Sequence, residues 1–269
     1  MRQVWGTVGE RWYVTIFGLV FLWQAIRHIG WKHTLIFAVS AVGFGALVEN
    51  ASVHWGFPYT KYSFNEDLRG DELFIGDVPL MVPLSYTFMA YFAFAGGRLL
   101  ASGPWRTRGR KFWHEFLLAI VLAVWVVWIL DPVSRLGDRF FLGELFRYDG
   151  PGFWFGLPLA SQGGFLLTAG VLITFLAYLA RDEPDRPVRR WIEHPHLTSL
   201  ITWHGQLVMM TAVAVHLGAV ELGGSAVLMW IPAAAITAVY WSTLRLSKPP
   251  DGTRTQDARE PVRDRIPTA

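Results

Sequence analysis

The sequence predicts an all-α fold, a polytopic membrane bundle of about seven transmembrane helices, and three observations lead there. Of its 269 residues 52% are hydrophobic and only 17% charged, whereas a water-soluble domain carries roughly a quarter charged residues. The apolar residues gather in runs of about 20, the length that a helix rising 1.5 Å per residue needs to cross roughly 30 Å of hydrocarbon. Lys and Arg are crowded into alternate connecting segments, the asymmetry that orients membrane helices.

Taken in order, the spans fall at 12–26, 34–53, 78–100, 112–130, 157–180, 199–220 and 225–244. The first is marginal in length and extends toward Trp5. No small-residue cleavage site follows an apolar core in the first 30 residues, so this segment reads as a retained helix and not as a signal peptide. One side of the predicted membrane holds Arg27 and Lys32, the run Arg98 to Lys111, Arg181 to Arg190, and Arg245 to Arg265. That side carries 17 Lys and Arg against 7 on the other. It is therefore predicted to be cytoplasmic, with the C-terminus, in a chain integral to the inner (plasma) membrane. Residues 1–247 form the transmembrane domain. Residues 248–269 are polar, rich in Pro and without periodicity, and read as a disordered cytoplasmic tail. The acid-free run Arg106 to Lys111 suits anionic headgroups as well as it marks topology.

Three carboxylates close three of these runs: Glu49, Asp131 and Glu221. A carboxylate at the edge of hydrocarbon is costly unless it is protonated, paired or facing water, which makes each a functional candidate. The first two are followed by similar loops. After Glu49 come Gly56-Phe57-Pro58-Tyr59-Thr60-Lys61-Tyr62 and Val78-Pro79-Leu80. After Asp131 come Phe146-Arg147-Tyr148 and Gly156-Leu157-Pro158-Leu159. Acid, aromatic loop, Pro-Leu and new helix thus occur twice in the same direction, a parallel internal repeat. Inverted repeats are the transporter signature, so the pattern does not favour alternating access. Spans six and seven, with Glu221 and Ile231-Pro232, look like a third copy without its aromatic loop.

Each candidate has an ordinary reading beside the functional one. A desolvated Glu49 can hold a proton and act as a general acid, or it can be a structural acid on a neighbouring helix or base. Asp131 stands before Pro132, a plausible helix stop, and is either the second carboxyl of a pair or a partner of Arg135. Glu221 reads as a solvated residue at a loop edge, and Asp77 as the start of the third span, where a helix dipole favours an acid. His54 lies near Glu49; His204 and His216 are intramembrane and can bond across helices. Trp55, Phe57, Tyr59, Tyr62, Tyr86, Tyr148, Trp154 and Phe155 crowd around the two acids, either lining a cavity or forming an interfacial belt. Aromatic faces would stabilise a cationic intermediate.

Several chemistries are excluded or disfavoured. With no Cys, thiolate catalysis and Cys-ligated metals are out. No Lys lies within a span, so a retinal-type Schiff base is out despite the helix count. The eight His are dispersed, and no metal site is expected. The acidic stretch Asn65 to Glu72 is similar to half of a diphosphate–Mg²⁺ motif without its partner, and reads as a solvated loop.

The stretch Glu49…Gly56-Phe57-Pro58-Tyr59-Thr60-Lys61-Tyr62-Ser63…Asp77-Val78-Pro79-Leu80-Met81-Val82-Pro83-Leu84-Ser85-Tyr86 resembles the membrane-bound carotenoid biosynthesis proteins of the CruF type. Asp131-Pro132…Phe146-Arg147-Tyr148…Gly152-Phe153-Trp154-Phe155-Gly156-Leu157-Pro158-Leu159 resembles their second motif. The chain departs from them at Ala160-Ser161-Gln162-Gly163-Gly164-Phe165, where the family has an Asn-Phe-x-Gly-Trp-like stretch, and in lacking a Trp near Tyr86. The resemblance implies hydration of the terminal double bond of an acyclic carotenoid to a tertiary alcohol. Its partners would be a long apolar isoprenoid, the bilayer and other enzymes of that pathway, with no nucleic acid. The residues supply a mechanism without a cofactor: Glu49 or Asp131 protonates the alkene, and water captures the tertiary cation. The other carboxylate or His54 takes the released proton, with Tyr59, Tyr62 or Tyr148 positioning the water. A proton-initiated isoprenoid cyclase and a non-catalytic lipid-binding or transport protein stand as alternatives.

Overall fold

An unbroken 44-residue helix would be about 66 Å long, twice the thickness of hydrocarbon it could cross, so helix α2 (Trp12–Trp55) must turn back. It does so at Gly30, whose φ of 82° and ψ of 159° lie outside helical space, in a region only glycine enters cheaply. Phe21 and Phe37 would stand about 24 Å apart on a straight helix, yet their ring centroids are 6.1 Å apart. Thus α2 is a hairpin of two antiparallel arms, 12–29 and 31–55, matching the first two expected spans.

The computed structural model describes residues 2–101, 111–136, 144–181, 192 and 194–243. The expected tail 248–269, most of the basic run up to Lys111 and the charged segment 182–190 lie outside them. A short helix α1 (Arg2–Trp5) and a wide turn (Gly6–Glu10) precede α2. After it come β1 (Tyr62–Phe64), β2 (Phe74–Ile75), β3 (Val78–Pro79), α3 (Met81–Ala101), α4 (Lys111–Ser134), β4 (Phe146–Tyr148), α5 (Leu159–Leu179), α6 (Pro195–His216) and α7 (Val220–Thr243). The strands are only two or three residues long and sit in loops, so the class is an all-α helical bundle.

Among the described residues, α2, α4, α5 and α7 are long and apolar enough to cross a membrane. Helices α3 and α6 have comparable lengths, 21 and 22 residues, and α3 is the more deeply buried of the two. Helix α3 is the axis of the bundle, packed against α2, α4, α5 and α6, with Tyr91, Phe92, Ala93, Ala95 and Leu99 wholly buried. A helix inside a bundle can carry polar groups that pair across helices. Gln24 of α2 meets Ser199 and Thr202 of α6 at 2.7 and 3.0 Å, and Trp203 of α6 donates to the Leu122 carbonyl of α4 at 2.9 Å.

Three expected boundaries are corrected. Pro132 does not stop the fourth helix, which runs on to Ser134. Proline removes the N–H that would reach the carbonyl four residues back, and that carbonyl, on Trp128, accepts instead from the Trp154 indole at 2.9 Å. Glu221 does not close the sixth helix. That helix ends before Gly218 in a left-handed conformation, φ 73°, and Glu221 lies in the first turn of α7, where the dipole favours an acid. Asp77 does not open the third span; it precedes β3 in a tight hairpin, and α3 begins at Met81.

Candidate active site

The two copies of the repeated loop meet. Strand β1 pairs antiparallel with β4, placing Tyr62 opposite Tyr148, Ser63 opposite Arg147 and Phe64 opposite Phe146. Side chains alternate across a strand, so Ser63 and Arg147 face outward while the four rings face inward as one cluster, their centroids 5.4 to 6.2 Å apart. This ribbon roofs a cavity of about 150 Å³ whose walls come from α2, α3, α4, α5 and α6.

Glu49 and Asp131 both face that cavity and are 6% and 7% exposed. They are close enough to interact electrostatically. Their settings differ. Glu49 accepts from the Tyr62 hydroxyl at Oε2 and from the Tyr86 hydroxyl at Oε1. Tyr86 is 2.5 Å from the Tyr59 hydroxyl, Tyr59 reaches Thr168 Oγ1 at 2.9 Å, and Thr168 reaches the Gly164 carbonyl at 3.0 Å. Hydroxyls both donate and accept. With Glu49 ionised the chain points at the carboxylate; with Glu49 protonated it can reverse and end on the Gly164 carbonyl. Asp131 has neither a hydrogen bond nor an ion pair among the described residues. Arg135 does not bridge to it: the guanidinium donates to the Gly156 carbonyl and stacks over Tyr148, 5.2 Å from the ring centre.

Local sequence explains how the tyrosines are held. Ser52, wholly buried on α2, accepts from the Tyr59 backbone N–H at 3.2 Å. The Tyr59 ring lies over α5 at Gly164, where a Cβ would come within 2.5 Å of the ring and 2.6 Å of the Pro58 carbonyl oxygen. Burial, reinforced by Glu49, drives the Tyr59 phenol well above its ordinary pKa; burial, reinforced by Asp131, does the same to Tyr148. Both remain neutral hydroxyls.

Of the expected aromatic residues, Tyr59, Tyr62, Tyr86 and Tyr148 line the cavity. Trp55, Phe57 and Phe155 do not; they are 81%, 66% and 39% exposed. Trp154 sits outside the cavity and braces α4, its ring 5.8 Å from Trp128, while the Trp128 indole donates to Gln162. The auxiliary candidates are also elsewhere. His54 and Arg69 both pair with Asp77, at 3.0 and 2.9 Å, on the outer loops. His204 bridges Thr237 and Trp230 between α6 and α7, and Glu221 is exposed.

Other residues at the cavity were not among the expected site residues, although Phe146 stood in the second repeated loop. Phe64 and Phe146 complete the roof. Arg11 lines the cavity and forms a buried pair with Glu72 at 2.7 Å, both about 1% exposed. This pair draws the acidic loop onto the start of α2, and Arg2 and Arg69 hold Asp71 and Glu66. Gln206 of α6 reaches the same cavity. The His residues are less scattered than expected, since His28 bonds both Tyr91 and His196 at 3.1 Å at the Gly30 end of the bundle. Among the described residues no three His, Asp or Glu side chains are grouped to hold a metal ion.

The arrangement is a small apolar chamber with two carboxyl groups, neutral phenols and an aromatic roof. It can give a proton to a carbon skeleton and shelter the charge that results. No curated protein and no solved structure matches the chain. The model of one family, described as carotenoid biosynthesis protein, matches residues 9–241, and the chain belongs to that carotenoid biosynthesis family.

Proposed function

We propose that the protein is a hydratase that adds water to the terminal double bond of a carotenoid or related polyprenyl chain without a cofactor. The observation that carries this reading is the placement of Glu49 and Asp131 on one roofed apolar cavity. Its volume of about 150 Å³ equals that of an engineered protein cavity that takes up benzene. That is room for the last isoprene unit of a chain, with the rest of the polyene left among the helices and lipid. Family membership supports the substrate class.

Asp131, with no donor pointed at it among the described residues, is the better proton source. Glu49, which receives two tyrosine hydroxyls, is the better carboxylate. Hydrogen bonds directed at a carboxylate favour its charged form, and an apolar wall favours the neutral acid. In the proposed step, Asp131 gives its proton to the less substituted alkene carbon and the neighbouring carbon becomes a tertiary cation. The rings of Tyr62, Phe64, Phe146 and Tyr148 shield that charge. Water bonds to the cationic carbon and Glu49 takes the proton that water releases. Return of the proton from Glu49 to Asp131, through water in the cavity, resets the site.

The test is conversion of a lycopene-type substrate by membranes carrying the chain, in water labelled with heavy oxygen. The expected product is heavier by one labelled water, and its formation persists in the presence of chelator. Label arriving from dioxygen overturns the reading, and an isomer of unchanged mass replaces it with a cyclase.

A further inference from the structure

The cavity is long and narrow. A Cβ on Gly96 of α3 would lie 3.1 Å from Leu200 of α6, and one on Gly45 of α2 would lie 3.2 Å from Pro83 and Tyr86 of α3. On that register Gln206 stands level with Ala90, and Glu49 stands near the start of α3. The two are about nine helical residues, or about 13 Å, apart along the bundle, and both line the cavity. A volume of about 150 Å³ drawn out over that length is a tube and not a sphere. Glu49 and the roof are at one end and Gln206 is at the other. Four of the protein's six Met line it, Met81, Met89, Met209 and Met210. Met side chains adapt to irregular shapes, so this wall suits a flexible chain better than one rigid ring.

The first arm of α2 and helix α6 are joined at the Gly30 end, where Gln24 bonds Ser199 and Thr202 and His28 bonds His196. Toward the roof the same sides of both helices come out of the protein. Positions 17, 20, 24 and 28 share one helical face; Gln24 and His28 are buried, whereas Phe17 and Val20 are half-buried. On α6, Ser199 and Gln206 are buried, and Met209 and Val213 further along that face are half-buried. Phe17 and Met209 also line the cavity. The two helices form a V, closed at Gln24 and opening toward the roof, with the tube behind it. Other seams carry hydrogen bonds across them. Tyr59, held by Ser52 of α2, reaches Thr168 of α5, Trp128 of α4 reaches Gln162 of α5, and Trp203 of α6 reaches the Leu122 carbonyl of α4.

We propose that this V is the substrate portal. An acyclic isoprenoid chain passes sideways from the lipid between the first arm of α2 and α6, its reactive end under the roof and its remainder between Phe17 and Met209. The tube holds the end of such a chain and not its whole length, and the lipid outside the V is where the remainder already dissolves. The assignment rests on the carotenoid substrate proposed above and is independent of whether water adds to it.

The chain has no Cys, so introduced cysteine pairs stand alone. Phe17→Cys with Met209→Cys spans the V, and Val20→Cys with Met209→Cys spans it without altering Phe17. Ile120→Cys with Gly170→Cys spans α4 and α5, where a Cβ on Gly170 would lie 3.9 Å from Ile120. Each full-length variant is joined in detergent by a short reducible bis-thiol linker, and bound lycopene is read by its visible absorbance. The same variant before joining is the reference, so a loss through misfolding shows there first. Lycopene added after the V is joined should not bind, and reduction of the linker should restore binding. Lycopene added before joining should stay through washing and leave on reduction. Joining α4 to α5 should change neither result. Lycopene that binds and washes out equally well with the V joined overturns the portal, as does exclusion by the α4–α5 link instead. An unaltered chain that binds no lycopene overturns the substrate reading and this assignment with it, whereas binding without hydration overturns the hydratase alone.

Discussion

At the scale of single residues, Glu49 and Asp131 are alike in burial and unlike in company, and the difference can be measured. Neither an Asn nor a Gln amide can release or take up a proton at a useful rate. Asp131→Asn and Glu49→Gln should each slow turnover by about 10²-fold or more, the usual scale of acid–base catalysis, with substrate binding retained. Tyr86→Phe removes one hydrogen bond to a charged group, worth about 1.5–3 kcal/mol. It should slow the reaction less than Glu49→Gln, because Tyr62 still donates to the other carboxylate oxygen. Glu221→Gln changes an exposed residue in the first turn of α7 and should leave the rate unaltered. Folded amide variants that bind substrate and turn over at near-normal rates would make the carboxyl pair structural. Both acids were legible in the sequence as charges at the ends of apolar runs. The partners that distinguish them were not, because Tyr86 and Thr168 come from α3 and α5 and no local pattern aims them at Glu49.

At the scale of elements, the repeat was legible as two loops of similar spelling, but their pairing was not. A three-residue strand such as β1 or β4 has too few positions for alternation to speak. The Pro132 boundary failed for a related reason: the rule that proline ends a helix assumes that nothing else meets the freed carbonyl. Here Trp154 meets it from the loop that follows. Trp154→Phe replaces the indole with a smaller aromatic ring that has no donor, so it should destabilise the protein by about 1–3 kcal/mol. Pro132→Ala returns the backbone N–H to the same carbonyl. In that background Trp154→Phe should cost less, a coupling readable as a double-mutant cycle on thermal unfolding in detergent. Equal costs in both backgrounds would show that Trp154 acts through packing alone.

At the scale of the whole molecule, hydropathy gives the long helices, and Trp gives the frame in which they sit. Trp55, Trp5 and Trp12 are exposed near the end that carries the aromatic roof; Trp31, Trp113 and Trp23 are exposed near the other. Trp31 and Trp55 sit on one arm of α2, about 36 Å apart by helical rise, which matches a hydrocarbon core of roughly 30 Å with an interface on either side. Trp128, Trp154 and Trp203 instead make hydrogen bonds inside the bundle, so the high Trp count had two causes that composition could not separate. The same frame makes orientation testable. The Gly30 bend, with Arg27 and Lys32 beside it, and the facing ends of α3 and α4, where Arg98 pairs with Glu115 at 3.3 Å, share one end. The roof and both carboxyl groups lie toward the other. Positive charge resists translocation, so the basic end should be cytoplasmic and the roof should face the far side of the membrane. A topology reporter fused after Lys248 should be active only in its cytoplasmic form, and one inserted near Glu66 only in its exported form. Signals from the same side at both positions would require an even number of crossings between them in place of the five expected, and would undo the orientation, the placement of the cavity in the outer leaflet, and the route by which a chain end reaches it.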